Sequence, residues 1–102
     1  MSQTVRTKPR KIAATGVITK TVQFTLNLPQ AKAVGIAGTF NGWDPVLAPM
    51  RRGFDGCWSA TVKLSPGRYE YLFVADGNWI RDAKARETAP NPFGGVNSVI
   101  SL

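Results

Sequence analysis

CWSATVKLSPGRYEYLFVA, residues 57–75, carries two strand patterns joined by a turn. Trp58, Ala60, Val62 and Leu64 alternate with Ser59, Thr61 and Lys63. Successive strand residues point to opposite faces, so this period of two makes one apolar face and one polar face. Ser65-Pro66-Gly67 has the composition of a turn. Tyr69, Tyr71, Phe73 and Ala75 then share one face of a second strand, 68–75, while Glu70, Leu72 and Val74 share the other. Apolar residues on both faces mark this strand as internal. Asp76-Gly77 is a hairpin signal leading into Asn78-Trp79-Ile80.

The pattern extends outward on both sides. Val22, Phe24, Leu26 and Leu28 alternate up to Pro29, and Ala33–Ala37 reads as a second strand. Val46–Arg51 reads as a short edge strand limited by Pro45 and Pro49. Asp82–Thr88 has room for one helical turn before Pro90 and Pro92, and Asn97–Leu102 reads as the last strand. Short strands about 8–12 residues apart, with Gly- and Pro-rich turns, predict an all-β antiparallel sandwich. Trp58, Phe24, Tyr71 and Phe73 are its expected core aromatics.

The 102-residue length fits one domain. Residues 1–15 are expected to be a flexible basic N-terminal tail, and 16–102 the folded module. Residues 1–20 hold five bases and no acid, leaving eight bases against six acids in the rest. The basic excess therefore belongs mainly to the tail and does not predict a nucleic-acid surface on the fold. No run approaches the roughly 20 apolar residues of a membrane helix. The N-terminus lacks the apolar segment of a secretory signal, and cytoplasm is the expected compartment.

Histidine is absent and Cys57 is the single cysteine. Imidazole-activated nucleophiles, histidine metal sites and internal disulfides are excluded together. No phosphate-binding glycine motif or calcium loop occurs. The carboxylates at Asp44, Asp55 and Asp76 sit where turns need them, and Asp82 has the position of a loop cap. The expectation is a non-enzyme with no metal and no cofactor.

Trp43, in GTFNGWDP, and Trp79, after Asp76-Gly77-Asn78, fall at loops or strand ends. Covering a core edge and forming a binding platform are both open to them. A pyranose ring suits the second: its C–H face lies on an indole, and its hydroxyl rim needs donors and acceptors that asparagine supplies. Asn41, Asn78, Asn91 and Asn97 are candidates, with turn formation the alternative for Asn41 and Asn78.

AGTFNGWDP (37–45), DGCWSATVKLSPGRYEYLFVADGNW (55–79) and NPFGGVNSVI (91–100) together resemble the glycogen-binding domains of AMP-activated protein kinase β subunits. They are similar also to the family 48 carbohydrate-binding modules of glucan-processing enzymes. The resemblance implies an early-set, immunoglobulin-like β-sandwich of about seven strands. It implies non-catalytic binding of α-1,4-linked glucans: glycogen, starch or maltooligosaccharides. By the same resemblance Trp43 and Trp79 stack on glucose, Asn97 bonds to hydroxyls, and Phe93 extends the apolar contact; Asn78, in the turn before Trp79, is expected to help Asn97 orient the chain. Leu72 stands where the kinase modules carry a binding lysine, and a leucine cannot donate to a hydroxyl. The alternative implied function is a protein-interaction or scaffolding module for a kinase or a glucan-processing enzyme.

Overall fold

Alternation in the sequence becomes register in the structure. The computed structural model describes residues 18–102, and the basic tail read at 1–15 lies outside the described residues. Eight strands follow in order: β1 (Lys20–Asn27), β2 (Val34–Gly38), β3 (Arg51–Arg52), β4 (Cys57–Leu64), β5 (Arg68–Ala75), β6 (Asn78–Ile80), β7 (Glu87–Pro90) and β8 (Val96–Ser101). One antiparallel sheet has the order β1-β4-β3. The other has the order β2-β5-β8-β7, with β6 also paired to β5. Together they form a β-sandwich.

The inner faces are those the period of two selects. Val22, Phe24, Trp58 and Leu64 are buried in the first sheet; Val34, Ile36, Tyr71, Phe73 and Ala75 are buried in the second. Phe24 meets Tyr71 edge-on across the sandwich, with ring centroids 5.0 Å apart. Trp58 is 5% exposed, and its Nε1–H donates to the Leu28 carbonyl at 3.0 Å. That bond satisfies the indole's only polar group inside the core. Tyr71 donates its hydroxyl to Asp82 Oδ2 at 2.7 Å. Burial first, and the Asp82 carboxylate second, push the Tyr71 phenol well above its ordinary range. Asp82 is itself buried and accepts the Lys84 N–H, the loop-cap position read from the sequence, here coupled to the core.

Two segments differ from the sequence reading. Val46–Arg51 is not one strand, and only its last residue falls in β3. Pro45–Leu47 is one turn of 3₁₀ helix, with Asp44 as N-cap accepting the Val46 N–H at 3.0 Å. A proline at the first helical position and an Asp cap favour a helical start over an extended one. The following residues still bond to the edge of β2, through Ile36 N–H to the Ala48 carbonyl and Met50 N–H to the Val34 carbonyl. The second difference is at Asp82–Thr88. A single turn closes from Ala85 N–H to the Asp82 carbonyl, and the chain then extends into β7. Pro90 ends that strand at the sheet edge, where a missing N–H is tolerated.

Gly35 lets the 3₁₀ turn cross the outer side of β2. A Cβ at this position would lie 2.4 Å from the Pro45 carbonyl oxygen. Asp76 and Gly77, with φ of 50° and 82°, make the tight β5–β6 turn. The Asp76 carboxylate also accepts the N–H groups of Lys32 and Ala33, tying that hairpin to the chain before β2.

Candidate functional site

The outer face of the five-stranded sheet carries two of the candidate residues, Trp79 and Asn97. On β5 the even positions Arg68, Glu70, Leu72 and Val74 point away from the core. Leu72 is paired with Ala37 of β2, and Val74 is flanked by Gly35 of β2 and Trp79 of β6. Trp79 therefore stands on the outer face beside Val74, and 53% of it is exposed. Asn97 lies on the same face of β8, opposite Ala89. Asn78 is paired with the inward-facing Ala75, so it belongs to the other face and is not brought beside Trp79.

Trp43 is half-buried in the loop leaving β2. Asn41 builds this loop: its Oδ1 accepts the Gly38 N–H at 3.0 Å and its Nδ2 donates to the Ile36 carbonyl at 2.9 Å. Asn41 is thus committed to the backbone. Gly42 and Trp43 both have positive φ, 66° and 62°. An indole-bearing residue in the left-handed region costs roughly 1–2 kcal/mol. Such strain persists where the surroundings over-determine it, and it clusters at functional loops.

Phe93, 92% exposed, tips the loop between β7 and β8. Asn91 organises this loop, accepting the N–H groups of Phe93 at 2.9 Å and Gly95 at 3.1 Å on its Oδ1. Its Nδ2 donates to Asn97 Oδ1 at 3.2 Å, and Asn97 Nδ2 donates to Glu70 Oε1 at 3.0 Å. Arg68 closes the chain, donating to Glu70 Oε2 at 2.9 Å. The Asn97 hydrogen bond first, and the Arg68 bond second, hold the Glu70 carboxyl below the usual carboxylate range. Asn97 is only 6% exposed, with both ends of its amide engaged. It retains one N–H and one acceptor lone pair.

Arg68 lies on this face, paired with Glu70. Lys84 is turned away, with its Nζ on Thr25 of β1. Strand alternation alone puts Glu70 on the outer face. Its place in a polar chain with Asn97 and Asn91 needs the register of β5 against β8, which the sequence does not display.

The face is open and apolar with a polar margin. Beside Val74 runs a shallow groove of about 370 Å³ between Gly35, Pro45, Val46 and Pro49. A larger cleft of about 560 Å³ opens elsewhere, among Phe24, Tyr71, Lys84 and Leu102, and Trp43, Trp79, Phe93 and Asn97 do not line it. Among the described residues no cluster of His, Cys, Asp and Glu could hold a metal ion, and no helix is long and apolar enough to cross a membrane.

Residues 20–102 match the family described as the glycogen recognition site of AMP-activated protein kinase. The chain belongs to that family. Its role is therefore non-catalytic glucan binding, and its sandwich is a recognition module. The module is 28% identical over 88 residues to an amyloplastic phosphoglucan phosphatase of Castanea sativa, covering 86% of this chain and 24% of that protein. It is 39% identical over 49 residues to the chloroplastic protein PTST homolog 2 of Arabidopsis thaliana, covering 48% and 9% respectively. It is 36% identical over 76 residues to a 1,4-alpha-glucan branching enzyme of Xanthomonas campestris pv. campestris, covering 70% and 10%. The chain thus spans 24% or less of the length of each of these relatives. The plant relatives correct the expected compartment. One is amyloplastic and the other chloroplastic, so a single cysteine and a polar N-terminus do not place this module in the cytoplasm.

Proposed function

We propose that the module holds an α-1,4-linked glucan on the outer face of its five-stranded sheet. Trp79 is the main platform, and its exposure beside Val74 is the observation that carries the reading. A large ring left 53% exposed on a sheet face adds little to the core and offers a flat apolar surface to a sugar ring. Trp43 forms the second platform, in a loop that keeps the indole in a strained backbone conformation. Asn97 presents its remaining N–H and lone pair to hydroxyls, and Phe93 extends the apolar contact at the sheet margin. Asn78, on the opposite face, has no part in this arrangement.

An open face suits a polymer, because a chain of glucose units can run across it without threading into a cavity. A shallow site of this kind binds weakly, with Kd of about 10⁻³–10⁻⁵ M. The relatives are a glucan phosphatase, a plastid protein and a branching enzyme. We infer that this module keeps a glucan-processing partner on its polymer.

Native gel electrophoresis in the presence of glycogen or amylopectin tests the reading. The unaltered module should be retarded, and Trp79→Ala should migrate as it does without polymer. Equal retardation of both proteins contradicts the platform assignment. A second reading, protein docking, draws on Val46, Leu47 and Phe54, all exposed apolar side chains. Migration unaffected by any glucan favours it.

A further inference from the structure

Glu70 has no direct place in the stacking platform, yet it starts the polar chain that ends at Phe93. We propose that Glu70 is a positioning residue for the glucan site: its carboxylate orients the Asn97 and Asn91 amides and through them holds the loop presenting Phe93. This rests on the glucan reading given above.

An ionised carboxylate only accepts. Glu70 Oε1, 3.0 Å from Asn97 Nδ2, therefore requires the NH₂ end of that amide to face it. The Asn97 oxygen must then face Asn91, whose Nδ2 donates to it at 3.2 Å. Asn91 in turn must aim its oxygen at the loop, where it accepts the N–H groups of Phe93 and Gly95. The chain is anchored at both ends, by the Glu70 carboxylate that only accepts and by the Phe93 and Gly95 N–H groups that only donate, and Glu70 selects the sense of the Asn97 amide that links them. Arg68, donating to Oε2 at 2.9 Å, holds the carboxylate in place.

The far end has little else to hold it. Phe93 is 92% exposed, and Gly94 has a φ of +86°. The remaining ties of the loop are two backbone bonds between Asn91 and the glycines, at 3.0 and 3.4 Å. A loop that only connected β7 to β8 would not need a phenyl ring at its tip. Ordering that ring before the ligand arrives lowers the entropic cost of binding.

The test uses Glu70→Ala and Glu70→Gln in the full chain, read by amide hydrogen exchange and by calorimetry with β-cyclodextrin. Glu70→Ala should speed exchange of the Phe93 and Gly95 amides by about fivefold, the equivalent of one net hydrogen bond. Amides of β4 should be unchanged. β-Cyclodextrin affinity should fall severalfold, and in an Asn97→Ala background Glu70→Ala should cause no further loss. Glu70→Gln, which keeps the volume and one acceptor, should move both readouts less and in the same direction. It carries the test if Glu70→Ala does not fold. Unchanged exchange at Phe93 and Gly95, or affinity losses that add in full, overturns the proposal. If Trp79→Ala weakens binding while the Glu70 variants do not, only the positioning role fails. If the unaltered module binds no glucan, the glucan reading fails and takes this role with it.

Discussion

Trp58 and Trp79 set the same side chain in opposite surroundings, at 5% and 53% exposure, the first packed in the core and the second proposed as a platform for glucan. Trp58→Ala should cost about 3–5 kcal/mol, the usual range for an emptied aromatic site, and lower the urea midpoint accordingly. Trp79→Ala should leave that midpoint nearly unchanged while reducing glucan affinity. The two settings are legible in the sequence: Trp58 keeps phase with Ala60 and Val62, whereas Trp79 follows a turn. Asn97 is not legible in the same way, because its burial and its two amide partners come from strands far apart in the chain. Glu70 adds a pH dependence. Its carboxyl is held below its ordinary range in the folded state, so its contribution to stability is fully present above the unfolded-state value of about 4.3. That contribution is lost as pH falls through the lower folded value. Thermal melts should therefore show the gap between the unaltered protein and Glu70→Gln closing as pH is lowered from neutral to about 3.

At the scale of elements, patterns with a clean period were readable and edges were not. Cys57–Leu64 and Arg68–Ala75 have the bounds that alternation sets, because the buried residues of each all fall on one face. The residues around Pro45 and Glu87 lie at sheet margins, where half of the backbone is unpaired and burial imposes little pattern. Local chemistry decided there: Asp44 and Pro45 start a 3₁₀ turn, and pairing with β8 draws Glu87–Pro90 into an edge strand. The 3₁₀ turn presses on β2 at Gly35, where a Cβ would lie 2.4 Å from the Pro45 carbonyl oxygen. Gly35→Ala should thus destabilise the protein by about 1–3 kcal/mol, measured by urea unfolding. It should also weaken glucan binding, because the displaced segment follows directly on the Trp43 loop.

For the whole molecule, the net charge of +7 says little about the site. The candidate face is apolar, with one ion pair at its margin between Arg68 and Glu70. Removing residues 1–15 should leave glucan affinity unchanged, and affinity should vary little between low and moderate salt. Steep salt dependence lost on that deletion would instead mark the tail as the binding element. Leu72 adds to the apolar character of the face, which suits the stacking proposed for Trp79. The most direct measurement is isothermal calorimetry of maltoheptaose binding to the unaltered module and to the Trp43→Ala/Trp79→Ala double variant. The account predicts measurable weak binding by the first and none by the second, with both proteins folded. Equal binding by the two would contradict it.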